Sequence, residues 1–153
     1  MYTSFDVAQA FLDLAKDEGK TLTNMQLQKL VYFAHGVHLA AFDDYLVVDT
    51  PFAWNFGPVF KRLYEVLQPF GKNPVDKKVG NSTSVFHDKQ AKIAVDLVWK
   101  NYKNFSAAKL SEISHVKGSP WDIVFNQRDS KFSEIPDELT KRYYQSLVTK
   151  ANG

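Results

Sequence analysis

The stretch from Thr23 to Phe42, TNMQLQKLVYFAHGVHLAAF, most constrains what this chain can fold into. It is the longest uninterrupted helical signal, and its start is marked. Thr23 followed three residues later by Gln26 forms a capping box, in which each side chain serves a backbone N–H that the first turn leaves unpaired. Leu22 before the cap and Leu27 after it have the spacing of a hydrophobic staple. At about 100° per residue, Leu27, Leu30, Val31, Ala34, Val37, His38 and Ala41 share one broad arc. Met25, Tyr32 and Leu39 fall opposite, with Phe33 and Ala40 between. A helix apolar nearly all round belongs inside a protein. The expected fold is therefore mainly α, a single compact helical domain built around this buried central helix. Gly36 within it costs about 1 kcal/mol relative to Ala, which suggests that another backbone approaches closely.

The remaining elements are legible from caps and punctuation. Ser4 can cap a first helix to about Glu18, with Val7, Ala8, Phe11, Leu12, Leu14 and Ala15 inward and Gly19 ending it. Tyr45 to Val48 and Phe52 to Asn55 read as two short strands around Asp49-Thr50-Pro51, a small β-hairpin or arm. Pro58 suits the first position of a third helix carrying Phe60, Leu63, Tyr64 and Leu67. Residues 72–86 read as a polar loop with a strand at Ser84 to Phe86. A fourth helix follows from Asp88 to Phe105, with Ile93, Ala94, Leu97, Val98 and Tyr102 inward. Ser106 caps a short helix to His115. After an irregular turn into Trp121, Ile123 to Phe125 is a short apolar run, and Pro136 opens a last helix facing inward through Leu139, Tyr143 and Leu147.

Composition limits the function classes. The chain has no Cys, which removes disulfides and thiolate metal sites and accords with a reducing, cytoplasmic setting. No segment approaches the ~20 apolar residues of a membrane span. Net charge is +2 but unevenly spread: residues 1–71 hold five basic and eight acidic side chains, and residues 72–117 hold nine Lys against four acids. Solvated helix faces account for such a pattern, and a basic contact surface is the functional alternative.

Sites for chemistry are sparse. His35 and His38 share a helix face but lack the i, i+4 spacing and intervening Glu of a metalloprotease helix. Ser114 and His115 are neighbours that point apart on a helix, so they make no catalytic dyad. The central helix offers Lys29 as its one basic residue, unlike a DNA-reading helix. No cofactor and no metal are expected. Gln28, Tyr32, His35 and Leu39 lie in one stripe that Trp54, Asn55 and His115 could meet, either as a buried polar network or as a shallow partner-binding groove.

The same residues carry a resemblance. Leu27-Gln28-Lys29-Leu30-Val31-Tyr32-Phe33, then Ala53-Trp54 before Gly57-Pro58-Val59, then Leu110-Ser111, Ser114-His115 and Pro120-Trp121 occur in the order seen in Panacea-domain proteins. That group includes GepA-like phage-associated proteins and SocA-like antitoxins. Val31 stands where Leu is commoner and Ser114 where Thr is commoner. The resemblance implies one Panacea-like domain over residues 1–153, with a core at about 5–149. It implies a bacterial or prophage, non-enzymatic protein that neutralises a cognate toxin, often encoded beside it, by direct protein–protein contact. In one branch such a protein delivers the toxin to a AAA+ protease. The motif residues Gln28, Lys29, Tyr32, His35, Trp54, Gly57, Pro58, Ser114, His115, Pro120 and Trp121 are then expected to form scaffold and polar network. Tyr45 and Phe52 of the arm, and Lys77 and Lys78 of the basic segment, are the expected partner contacts. The alternatives are a metal-dependent hydrolase using His35, His38 and His115, and a nucleic-acid-binding phage regulator using the Lys-rich middle.

Overall fold

The structure is a computed structural model and describes residues 1–152, with side chains to residue 148. Residue 153, the end of the single-domain range read from the sequence, lies outside the described residues. The chain is mainly helical, with one small antiparallel hairpin. Helices α1 (Ser4–Asp17) and α2 (Asn24–Phe42) are followed by strands β1 (Phe52–Trp54) and β2 (Gly57–Val59). Then come α3 (Lys61–Leu67), α4 (Thr83–His87), α5 (Lys89–Tyr102), α6 (Ala107–Ser114), a single turn α7 (Pro120–Asp122) and α8 (Asp137–Asn152).

Helix α2 is the axis of the fold. Both halves of the Thr23 capping box are formed. Its sides touch α1, α3, α5, α6, α8 and β2. Leu27, Leu30, Val31, Phe33 and Ala34 are fully covered. Ala41 in the last turn is its one fully exposed residue, and Met25 and Gln26 in the first turn are half-buried. Gly36 is explained by a side chain and not by a backbone: a Cβ there would overlap the ring of Tyr144 on α8.

Several expectations are corrected by tertiary contacts. Thr3, not Ser4, caps α1. Phe52 to Trp54 is a strand, but its partner is Gly57 to Val59, so the hairpin turns at Asn55–Phe56. Tyr45 to Val48 is not a strand; Leu46 and Val47 are buried where the N-terminus pairs with them through Tyr2. Pro58 sits in β2, and α3 begins three residues later at Lys61. Ser84 to Phe86 is helical, inside α4. On α5, Ile93 and Leu97 are exposed, and Ala91, Ala94, Val95, Val98 and Trp99 face the core. Ile123 to Phe125 forms a π-helical turn. On α8, Leu147 is exposed, Leu139 and Tyr143 are half-buried, and Thr140 and Tyr144 are covered.

The hydrophobic interior has two parts. The large one surrounds α2. The small one consists of Ala53, Trp121, Val124 and Ile135 beneath the hairpin. Residues 132–135 run along the outer edge of β1: Ala53 N–H donates to Ser133 O, and Phe132 N–H donates to Ala53 O, both at 2.8 Å.

Candidate functional site: a polar spine on the central helix

Successive turns of α2 place Asn24, Gln28, Lys29, Tyr32 and His35 inside the protein, and each polar group needs a partner there. The N-terminal half turns toward the hairpin. Gln28 Nε2 donates to Asn24 Oδ1 at 3.2 Å, and Gln28 Oε1 accepts the backbone N–H of Phe60 at 2.9 Å. Lys29 Nζ donates to the carbonyl of Pro58 at 2.9 Å. From α6, Ser111 Oγ donates to the carbonyl of Phe56 at 2.6 Å. Three side chains thus occupy backbone groups along β2 and its approaches, where a third strand would otherwise pair. An edge satisfied this way is closed to further strand addition.

Gly57 is required at this junction. Its φ of +111° lies in the left-handed region, and a Cβ would overlap Ser114 Oγ and stand 3.1 Å from Lys29 Cε. Lys29 is fully buried without a carboxylate partner. Burial alone pushes its ammonium pKa down to about 7.

The C-terminal half of the spine turns toward α8. The Tyr32 hydroxyl shares a 3.1 Å hydrogen bond with Thr140 Oγ1, and burial raises its pKa. His35 Nδ1 accepts the backbone N–H of Val47 at 3.3 Å, and Nε2 lies 2.9 Å from Asp137 Oδ1. The accepted N–H assigns the imidazole proton to Nε2, which donates to the carboxylate.

Gln28, Tyr32 and His35 are therefore all buried and hydrogen-bonded, but not to Trp54 or His115. Trp54 packs its ring edge-on against Tyr64, with centroids 5.0 Å apart, and its carbonyl accepts Trp121 Nε1–H at 2.5 Å. His115 lies against Trp121 at 5.2 Å, and its buried Nδ1 has no hydrogen-bond partner among the described residues. Ser114 Oγ donates to Ser111 O, one turn back on α6. Pro120 opens α7 behind the cap of Ser119. His38 Nδ1–H donates to Asp44 O at 2.7 Å and ties down the end of α2. His35, His38 and His115 thus have separate surroundings, and the described residues hold no group of three His, Asp or Glu arranged for a metal ion.

Of the four expected contact residues, Tyr45 is 44% exposed, and Lys77 and Lys78 are exposed. Phe52 is half-buried, its backbone bridging to Glu134. Sequence reasoning missed Phe56, which is 64% exposed because the hairpin turns at Asn55–Phe56 and not at Asp49–Pro51. It also missed Thr140 and Asp137. Their i, i+3 spacing puts them on one face of α8, but nothing in it names a partner on α2.

The arrangement defines a mainly α-helical domain whose buried polar residues hold its own parts together. Residues 27–122 match the family described as antitoxin SocA-like, Panacea domain. The chain belongs to that family. It is similar to the protein named Antitoxin SocA from Caulobacter vibrioides (strain NA1000 / CB15N), with 30% identity over 129 residues. The match covers 78% of this chain and 69% of that protein. No solved structure matches the chain. None of the helices among the described residues is long and apolar enough to cross a membrane.

Proposed function

We propose that this chain is an antitoxin that binds a cognate protein toxin and holds it inactive by direct contact. The observation that carries the reading is the family match over residues 27–122, together with the similarity to Antitoxin SocA across most of both chains. The geometry is compatible with a binding role. The motif residues Gln28, Lys29, Tyr32, His35 and Ser114 are spent on internal bonds, so a partner would meet side chains that the fold leaves free. Among the residues named from the sequence, these are Tyr45, Lys77 and Lys78. Phe56 joins them as the most exposed aromatic. Buried aromatics carry most of the affinity in such contacts, while rim charges mainly set encounter rate.

The test is growth rescue. Each gene neighbouring this one is expressed alone and then with this chain. A neighbour that stops growth alone and permits it together identifies the toxin, and no rescue of any toxic neighbour would refute the reading. With that pair in hand, Phe56→Ala and Tyr45→Ala are expected to weaken rescue at normal protein levels, more than the Lys77→Glu/Lys78→Glu pair. The adaptor form of the same reading predicts that toxin half-life falls when this chain is present and recovers when the host's AAA+ protease is deleted.

A further inference from the structure

A second surface lies away from the polar spine. The end of α1 and the segment 74–83 enclose an open cleft of about 670 Å³. Leu22 and Val75 close one side, joined by a Val75 N–H to Leu22 O bond of 2.8 Å. Lysines converge on this cleft from distant parts of the sequence: Lys16 and Lys20 from the end of α1, and Lys77 and Lys78 from the facing segment. Lys20 Nζ is held by Asn104 Oδ1 at 3.1 Å. Lys16, Lys77 and Lys78 are exposed and make no ion pair among the described residues. Two acids also line the cleft, Asp13, which Gln9 and Ser82 engage, and the exposed Asp76, against the four lysines. The backbone N–H groups of Asp76, Lys77 and Lys78 donate to nothing else in the described chain.

We infer that this cleft binds an acidic, extended peptide segment of a protein partner. The inference rests on the binding-protein reading above and adds the chemistry of what is bound. Three free ammonium groups supply charge complementarity, which steers encounter and fixes register. The N–H groups of residues 76–78 have no acceptor among the described residues, so those that face the cleft are open to the carbonyls of a bound peptide. The lining holds no aromatic ring on which bases could stack and no Arg, which favours a peptide over single-stranded nucleic acid.

The probe is a fluorescein-labelled decaglutamate peptide, titrated with the full chain and followed by anisotropy at low and at physiological salt. Binding is expected at low salt and should weaken as salt rises. The variant Lys16→Gln/Lys77→Gln/Lys78→Gln should lose about tenfold or more in affinity. A control with the same charge loss elsewhere, Lys89→Gln/Lys100→Gln/Lys117→Gln, should change it about twofold or less. Circular dichroism and thermal melts verify that both variants fold; should the triple variant not fold, Lys77→Gln/Lys78→Gln alone gives the same comparison. Absence of binding, or equal loss in both variants, overturns the inference. Tighter binding of an oligothymidylate of equal charge, lost in the cleft variant, also overturns it and assigns the surface to nucleic acid. Toxin rescue without peptide binding rejects the cleft and leaves the antitoxin reading intact, whereas peptide binding without rescue does the reverse.

Discussion

The large interior around α2 and the small one beneath the hairpin are stabilised by different means. Around α2, apolar side chains from five helices meet, and Leu27, Leu30, Val31, Phe33 and Ala34 are covered on every side. Beneath the hairpin only Ala53, Trp121, Val124 and Ile135 are buried together. That burial is too small to order two three-residue strands, because an isolated hairpin is at best marginally stable in water. Polar clamps make up the difference: Lys29 and Gln28 from α2, Ser111 from α6 and the Trp121 indole all bond to backbone groups of residues 54–60. The contrast teaches that the buried polar residues of this fold hold a weak element in register against a strong one.

That contrast can be broken first at its strong side. Leu30→Ala should cost about 2–5 kcal/mol, because it opens a cavity at the centre of the larger interior. A urea denaturation midpoint equal to wild type would show that α2 is not the axis of stability.

The next effect belongs to the clamp. The Lys29 pKa is about 7 in the fold against 10.5 as its ordinary value, so between these pH values the unfolded chain binds the extra proton. Stability should therefore rise with pH from about 7 toward 10.5 and flatten below 7, a total on the order of a few kcal/mol. Denaturation series from pH 7 to 9.5 stay below the range in which tyrosines ionise. In Lys29→Met this slope should be lost. An unchanged slope would mean that the ammonium is not desolvated.

Gly36→Ala should cost about 1–3 kcal/mol through overpacking against Tyr144. Combining it with Tyr144→Leu should give a loss smaller than the two single losses added, measured by a thermal double-mutant cycle. Strict additivity would place the strain elsewhere. The smallest effect is expected at the hairpin itself. Trp121→Phe keeps a ring but removes the bond to Trp54 O, for about 1 kcal/mol. Amide hydrogen exchange should accelerate in residues 52–59 and not in α2; equal acceleration in both would erase the distinction between the two interiors.

Legibility from sequence followed the same divide. Helix α2, its capping box and the cap at Ser106 were readable because a cap is a contact over three residues. The apolar face of α5 was misassigned at Ile93 and Leu97, since periodicity marks an apolar stripe without saying which edge of it meets a neighbour. At the candidate site, the buried polar stripe was visible as Gln28, Tyr32 and His35 on one line. Its partners Thr140 and Asp137 lie more than 100 residues away, and no local pattern pairs them.

By itself the sequence determined a mainly helical chain, the identity of its central helix, the three ordered motifs of its family and the placing of Lys77 and Lys78 on a solvated segment. Those are consequences of short-range geometry and of polarity, which each residue carries with it. Tertiary structure alone decided that β1 pairs with Gly57 to Val59, that Lys29 is buried against Pro58 O, that Phe52 is half-buried while Phe56 is exposed, and that Lys16 joins Lys77 and Lys78 across a cleft. Each of these depends on how separate elements dock, and docking is set by the burial available to the whole chain rather than by any single segment.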